Sequence, residues 1–291
     1  MQAQQPKSRK LVTELTTAKV LVFDSGVGGL SICKEIIASN KNIKLHYLSD
    51  NAAFPYGEKS ADQLISRATK VLLQACAQLS PDLVVIACNT ASTVVLPSLR
   101  TQLDIPIVGV VPAIKTAATI SQSKTIALLA TPGTVERPYT QQLIDEHAAD
   151  CQVIRVGSSQ LVRAIESHIH GDVIDTEYLQ QIISQLTEQL RGDKIDTVVL
   201  GCTHFPLIAD RFKEIKPEWQ WIDSGAAIAS RVNDLLYKIA HKDTLENSHK
   251  EHVKKSISHD LWLTKECDQK TTLDRYLAHD NFNASCILAI D

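Results

Sequence analysis

The sequence has little that would direct it to a membrane, a secretory route or a nucleic acid. None of the apolar runs in its 291 residues is long enough to cross a bilayer. The polar stretch 1–19 lacks the apolar core of a secretory signal. A formal charge of −3 argues against a broad electrostatic surface for nucleic acid or anionic lipid. We therefore expect a cytoplasmic protein that has neither nucleic acid nor a membrane as a partner.

The sequence also lacks the patterns of a disulfide framework, a metal centre or a bound cofactor. Its seven cysteines are odd in number and show no CxxC spacing, so we expect reduced thiols and no zinc module. The ten histidines are dispersed, which predicts no metal cluster. No lysine stands in a recognisable pyridoxal setting. The expectation is an activity that needs no cofactor.

What the chain does have is a regular alternation of short apolar runs and helical segments. Such a rhythm predicts parallel strands joined by right-handed helical crossovers, that is, an α/β fold. The 44% content of hydrophobic residues is sufficient for a sizeable core. The apolar runs are 20–23, 45–48, 83–87 and 105–110 in the first half, and 126–129, 153–156, 198–200 and 221–222 in the second.

Two cysteines occupy equivalent positions in these halves. Cys88 follows the run 83–87, and Cys202 follows the run 197–201, 114 positions later. Polar groups after the other strands repeat at offsets of 107 to 114 positions, which indicates an internal duplication. We expect two pseudo-symmetric domains, each a mostly parallel sheet flanked by helices. The active site should lie in the cleft between them, because ligands bind at the carboxyl ends of such strands.

The composition also suggests where the domains begin and end. Residues 1–19 are predicted to be a polar N-terminal extension. The first α/β domain should comprise 20–112 together with about 226–291, and the second should comprise 113–225.

The C-terminal part carries its own signals. An apolar stripe of helical period predicts a helix over 226–241 that returns to the first domain. The polar stretch 242–260 is typical of an exposed loop or linker. Two late edge strands are expected at 261–263 and 286–290, around a short helix near 273–277.

Two facing thiols suit proton transfer on both sides of one carbon. Inverting the α-carbon of an amino acid requires a base on one face and an acid on the other. A free thiol has a pKa of about 8.5, and the helix N-termini predicted after both cysteines would lower the pKa of each thiol. His204 follows Cys202 but Thr90 stands at the equivalent place after Cys88, which predicts unequal duties. The alternative is that Cys88 and Cys202 are merely small buried residues, which their duplication disfavours.

Two loops of the first half are candidate ligand contacts. The glycine-rich stretch 24–30 lacks both the dinucleotide spacing and the lysine of a phosphate loop, so its glycines should let the backbone approach a small ligand. A glycine-rich turn in which Asp24 caps the next helix is the alternative. The loop 55–57 could bind a carboxylate through its N–H groups, or be an ordinary turn.

Four motifs, in order, resemble those of the glutamate racemases in the cofactor-independent aspartate/glutamate racemase family. Together they cover about residues 20 to 240. The resemblance implies the interconversion of L- and D-glutamate without pyridoxal phosphate, supplying D-glutamate for bacterial peptidoglycan. The motifs are VFDSGVGGL at 22–30, AFPYG at 53–57, ACNTAS at 87–92 and GCTHFP at 201–206.

The resemblance also assigns catalytic roles. Cys88 would act on D-glutamate and Cys202 on L-glutamate, one thiol removing the α-proton while the other delivers a proton to the opposite face. Asp24 would assist Cys88, and His204 would assist Cys202. Glu166 matches a further acidic residue near the second thiol, although a solvated glutamate at a helix end is the alternative.

Further residues match the family's substrate contacts. Asn89, Thr90 and Thr203 would hold the α-carboxylate and the amino group. Asp24 and His204 would also contact the substrate. Those expected around the side-chain carboxylate or along the cleft are Ser25, Tyr56, Gly57, Thr131 and Thr134.

Partners and alternatives remain open at this level. The extension 1–19 and the segment 110–115 resemble those glutamate racemases that UDP-N-acetylmuramoyl-L-alanine activates. A monomer and a homodimer are both compatible with the sequence. A racemase of aspartate or a related acidic compound is the second possibility. A non-catalytic two-domain amino-acid-binding protein is the third, but such a binder would need no thiol at both strand ends.

Overall fold

The computed structural model describes residues 17–242, 257–267 and 270–290, which form two parallel β-sheets flanked by helices. Residues 1–16 of the predicted extension and 243–256 of the predicted polar loop lie outside the described part of the chain. The predicted α/β class is confirmed. In the part of the chain that the structure describes, no helix is long and apolar enough to span a membrane.

Ten strands are found in the described ranges. All of their pairings are parallel. The strands are β1 (Ala18–Asp24), β2 (Ile43–Ser49), β3 (Leu83–Ile86), β4 (Ile107–Gly109), β5 (Thr125–Ala130), β6 (Gln152–Gly157), β7 (Thr197–Leu200), β8 (Gln220–Ile222), β9 (Asp260–Leu263) and β10 (Cys286–Ile287).

Eleven α-helices in the same ranges connect or follow these strands. They are α1 (Leu30–Ser39), α2 (Ala61–Leu79), α3 (Asn89–Arg100), α4 (Ile114–Ile120), α5 (Pro132–Val135), α6 (Pro138–His147), α7 (Ser159–Ile169), α8 (Thr176–Thr187), α9 (Ala209–Ile215), α10 (Gly225–Lys242) and α11 (Lys270–Ala278).

Four strands follow the same order in both sheets, β2-β1-β3-β4 in the first and β6-β5-β7-β8 in the second. The six-stranded sheet runs β10-β9-β2-β1-β3-β4, and the four-stranded sheet runs β6-β5-β7-β8. In each, the chain passes from a central strand to one neighbour and then crosses to the other side. This creates a topological switch point between β1 and β3 and another between β5 and β7, where open α/β sheets bind ligands. The repeated order supports the internal duplication.

Burial on both faces explains why the strands read as unbroken apolar runs. In β1, Val20 and Val22 belong to a core that includes residues of α1 and α10. Leu21 and Phe23 belong to a separate core with residues of α2 and α3. Successive side chains of a strand point to opposite faces, so helices on both sides require apolar residues at every position.

The second sheet is covered in the same way. Ala127 and Leu129 of β5 pack in a core that contains residues of α7 and α8. Ile126 and Leu128 pack on the other face with residues of α4 and α6. The central strand of each sheet is therefore shielded on both sides, which leaves its carboxyl end as the part that can meet a ligand.

The C-terminal part returns to the first sheet, as the helical stripe over 226–241 predicts. Val232 of α10 lies in the same core as Ile36 of α1. Strand β9 pairs with β2, and β10 pairs with β9. The expectation of two edge strands is thus wrong for β9, because β10 occupies its free side and is itself the edge.

Candidate active site

Cys88 and Cys202 line one pocket at the carboxyl ends of the two sheets. Cys88 follows β3 and is the N-cap residue of α3, whereas Cys202 follows β7 after one glycine. Both thiols are buried, with 6% and 7% of the residue exposed. The cavity has a volume of about 20 Å³. Every residue predicted for the site lines this cavity except Glu166 and Thr134, which lie one contact behind it.

The surroundings of Cys88 favour its thiol form. Burial raises the pKa of Cys88 well above its usual value, and the nearby Asp24 carboxylate raises it further. The N–H of Ala91 in the first turn of α3 and the Ser25 hydroxyl act in the opposite direction, but their effect on the pKa is smaller. The expected lowering of the Cys88 pKa by a helix N-terminus is therefore outweighed by desolvation.

No α-helix begins directly after Cys202, so the expectation of a second helix N-terminus is wrong. The chain forms a short 3₁₀ helix at Phe205–Ile208, and α9 begins only at Ala209. The Phe205 N–H donates to the Cys202 carbonyl at 3.1 Å, a tight turn that replaces the first turn of an α-helix. The polar group that contacts the thiol is His204, whose Nδ1 lies 3.7 Å from Cys202 Sγ.

Glu166 holds the far side of the His204 ring. Its Oε2 atom lies 2.6 Å from His204 Nε2 and accepts the Val27 N–H at 2.9 Å. Only 14% of the Glu166 side chain is exposed, so it is not a solvated glutamate at a helix end. Burial alone would raise the pKa of Glu166, but contacts with His170 and His204 hold this pKa well below its usual range.

The surroundings of His204 favour the protonated ring. Burial alone would lower the pKa of His204, but Cys202 and Glu166 together raise it well above its usual value. A histidine paired with a carboxylate therefore lies beside the Cys202 thiol.

Asp24 connects the two halves of the site. Its carboxylate accepts hydrogen bonds from the Thr203 hydroxyl at 2.7 Å and from the Ser25 N–H at 2.6 Å. Burial raises the pKa of Asp24, whereas His204, Thr203 and Ser25 lower it. Asp24 does not cap α1, because the N-cap of that helix is Gly29, which has no side-chain hydrogen bond.

The glycines after β1 make room for side chains of the second half. A Cβ at Gly26 would overlap the Glu166 carboxylate, and a Cβ at Gly28 would overlap the His204 ring and the Thr203 hydroxyl. The groups that approach them are protein side chains at the site. The approach of the backbone to a small ligand therefore stays a prediction.

Three threonines form a second connection across the cleft. Thr90 Oγ1 at the start of α3 lies 3.1 Å from Thr131 Oγ1 and 3.2 Å from Thr134 Oγ1. The hydroxyl oxygens of Thr131 and Thr134 are 2.9 Å apart. Thr90 and Thr131 line the pocket, and Thr134 supports them from behind.

Polar groups of the first half complete the cavity. The Tyr56 hydroxyl donates to Asp50 Oδ2 at 2.6 Å, and Arg67 donates two hydrogen bonds to the same carboxylate at 2.7 and 3.0 Å. Tyr56 is thereby fixed in place rather than directing its hydroxyl at a ligand. Asn89 Oδ1 is buried without a hydrogen-bond partner among the residues that the structure describes, so it is available to a ligand.

Sequence reasoning missed three residues of this neighbourhood. Val162 of α7 lines the pocket, but in the sequence it is one more apolar residue in a helical stripe. Asp50 and Arg67 support Tyr56 from behind the pocket. Asp50 could have been predicted from its position directly after β2. Arg67 lies inside α2, where nothing in the sequence distinguishes it from a surface arginine.

No group of three or more metal-ligating side chains is found within residues 17–242, 257–267 and 270–290.

Comparison with known proteins agrees with this geometry. The Asp/Glu/Hydantoin racemase family model matches residues 25–232. The glutamate racemase of Vibrio cholerae is 51% identical over 219 residues, which cover 75% of this chain and 80% of that protein. The Haemophilus ducreyi glutamate racemase is 46% identical over 228 residues, which cover 78% of this chain and 85% of that protein.

A solved structure matches almost the whole chain. It is the crystal structure of Escherichia coli glutamate racemase in complex with L-glutamate and the activator UDP-MurNAc-Ala, which is 38% identical to this chain. The match covers 95% of this chain and 100% of that one, with a TM-score of 0.84. The resemblance inferred from the four sequence motifs is therefore confirmed, and the chain belongs to the Asp/Glu/hydantoin racemase family.

Proposed function

We propose that this protein interconverts L- and D-glutamate without a cofactor, in the cytoplasm, and so supplies D-glutamate for peptidoglycan. The observation that carries the proposal is the pair of buried thiols, which reach one pocket from equivalent strand ends of two sheets. The specificity for glutamate is supported by two glutamate racemases that this chain matches over 80% to 85% of their length.

The reaction needs one thiolate and one thiol. With L-glutamate, the Cys202 thiolate takes the α-proton, and the electron pair of the broken C–H bond moves into the adjacent carboxylate group. The Cys88 thiol then donates its proton to the opposite face of the carbon. The cycle leaves Cys202 as a thiol and Cys88 as a thiolate, so the roles are exchanged for D-glutamate. The raised pKa of Cys88 fits a thiol that still carries its proton when L-glutamate binds.

The neighbours of each thiol fit these roles. The ring of His204 lies 3.7 Å from Cys202 Sγ, where it can assist the proton transfer that we assign to this thiol. Without a cofactor as electron sink, hydrogen bonds and exclusion of water must stabilise the carbanion. Asn89 and Thr90 are the groups of the first half that we assign to the α-carboxylate and amino group, while Ser25 and Gly57 face the side-chain carboxylate.

The pocket has to widen before glutamate can enter. Its volume of about 20 Å³ accommodates about one water molecule. We infer that the halves 20–112 with 226–291 and 113–225 act as two domains that separate. The Thr203–Asp24 and Thr90–Thr131 hydrogen bonds cross this boundary, and we expect the carboxylates of the substrate to accept from the threonine hydroxyls and its ammonium group to donate to Asp24.

We further propose that UDP-N-acetylmuramoyl-L-alanine activates this enzyme. The Escherichia coli relative was solved with that activator, and it matches this chain over 95% of its length. The expected effect on this protein is a higher rate rather than a change in products.

The substrate is tested by incubating the protein with L-glutamate, and separately with L-aspartate, in deuterated water. We expect loss of optical rotation and of the α-proton NMR signal with glutamate, because the returning proton comes from a thiol that exchanges with solvent. Aspartate should remain largely unchanged. Exchange with aspartate alone would make the protein an aspartate racemase, and no exchange with either would favour a non-catalytic binding protein.

The two-base mechanism is tested with Cys88→Ala and Cys202→Ala. Each variant should lose at least about 10³-fold in kcat, within the range for removing a general acid or base. Cys76→Ala, which removes a half-buried thiol of α2 remote from the pocket, is the matched control and should keep its activity. Circular dichroism verifies folding, and near-normal racemisation by either active-site variant would contradict the mechanism.

The His204–Glu166 pair predicts an acid-dependent stability. The folded-state pKa of Glu166 is lowered, so its stabilising contribution is complete above about pH 4.3 and is lost as the pH falls through the folded value. Urea unfolding should show that Glu166→Gln destabilises the protein most at neutral pH, and that the difference from wild type shrinks in acid. Glu214→Gln, at an exposed glutamate of α9, should show no such change.

Activation is tested by measuring L-glutamate racemisation with and without UDP-N-acetylmuramoyl-L-alanine. We expect a higher kcat with the nucleotide, and no effect of UDP alone at the same concentration. An unchanged rate over a full titration would refute activation and leave the proposed racemisation intact.

A further inference from the structure

A second histidine contacts the outer side of Glu166. His170 follows the last turn of α7, four residues after Glu166, and its Nε2 atom lies 3.7 Å from Glu166 Oε1. Only 11% of the His170 side chain is exposed. On its other side, His170 Nδ1 lies 3.8 Å from Cys267 Sγ, in the segment that follows β9. The His170 ring is thus held between the second half of the chain and the C-terminal part of the first.

The two oxygens of Glu166 have separate partners. Oε2 contacts His204 Nε2 and the Val27 N–H, while Oε1 faces His170. Beyond His170 lies a second cavity of about 360 Å³, whose wall includes Glu166 and Lys265. His170 and Glu166 line this cavity side by side, so removing the ring would expose more of the carboxylate to water. The carboxylate could then turn outward, away from His204.

A relay of protons from Cys202 to the second cavity is the other role that this arrangement suggests. Such a relay would have to protonate Glu166 in passing. The strongly lowered pKa of Glu166 makes the carboxylate a poor proton carrier. The contacts therefore favour orientation of a fixed carboxylate over transport of a proton through it.

We propose that His170 is a positioning residue of the Cys202 half of the site: it holds Glu166 so that the carboxylate orients the His204 ring against Cys202. The inference rests on the proposed function, because it concerns the proton transfer that Cys202 makes with L-glutamate. His170 itself does not line the pocket between the thiols, so it would contact neither the substrate nor the reacting atoms.

Isotope effects can show which of the two thiols is impaired. A racemase has an equilibrium constant of one, so kcat/KM must change equally in both directions when any residue is altered. The primary deuterium isotope effect, in contrast, can change differently in the two directions. If transfer by Cys202 becomes slower, the isotope effect with α-deuterated L-glutamate rises, because breaking that C–D bond limits the rate. The effect with α-deuterated D-glutamate falls, because Cys88 breaks that bond before the limiting step.

The experiment compares four variants of the full-length protein. His170→Ala removes the ring, and His170→Asn keeps a polar residue at the helix end but is too short to reach Glu166. His170→Gln places an N–H donor close to the position of Nε2. His168→Ala is the matched control, since His168 lies on the same helix and bonds to the Asp172 carbonyl rather than to Glu166.

We expect the alanine and asparagine variants to lose about tenfold in kcat/KM in both directions, within the range of coupling between residues of one polar network. Their isotope effect should rise with L-glutamate and fall with D-glutamate. The glutamine variant should recover most of the rate and the wild-type isotope effects, and the His168 variant should match wild type. If the alanine variant does not fold by circular dichroism, the asparagine variant decides.

Two results would overturn the role of His170 while leaving the proposed function in place. One is a rate equal to that of the His168 control. The other is a lower rate with both isotope effects unchanged, which would indicate a general structural defect. If the wild-type protein does not racemise glutamate at all, the proposed function and this inference both fall.

Discussion

Buried polar groups at the boundary between the two sheets find their partners on the opposite side, and the site depends on this constraint. The Asp24 carboxylate of the first sheet accepts the Thr203 hydroxyl of the second, and Glu166 of α7 accepts the Val27 N–H of the first. A buried carboxylate without such partners would cost several kcal/mol. The two halves therefore satisfy each other's buried polar groups, and the domain separation that we propose would have to break these bonds.

The duplicated fold makes the two thiols equivalent in position, but their surroundings make them chemically different. Cys88 is the N-cap residue of α3, and burial and the negative charge of Asp24 raise its pKa. Cys202 precedes a 3₁₀ turn and has His204 beside it instead. These unequal surroundings fit a reaction in which one thiol acts as the acid while the other acts as the base.

The sequence predicted most of the fold because β1, β3, β5 and β7 are buried on both faces and read as unbroken apolar runs. It predicted Cys88 and Cys202 because both follow apolar strands, and the resemblance of the four motifs supplied the other candidate residues of the pocket. It could not reveal Val162, whose chemistry is that of any core residue, or Arg67, which reaches Asp50 only through the packing of α2. The edge position of β10 likewise depends on a pairing between segments distant in the chain.

The C-terminal segment has no counterpart in the second sheet, yet it supports both halves of the site. Thr264, directly after β9, donates to Asp50 at 2.7 Å, and Asp50 in turn fixes Tyr56 in the wall of the pocket. Three residues further on, Cys267 packs against His170, which contacts Glu166. One short stretch of chain thus lies behind the residues on both sides of the cleft. Part of the asymmetry between the two thiols therefore originates outside the duplicated core.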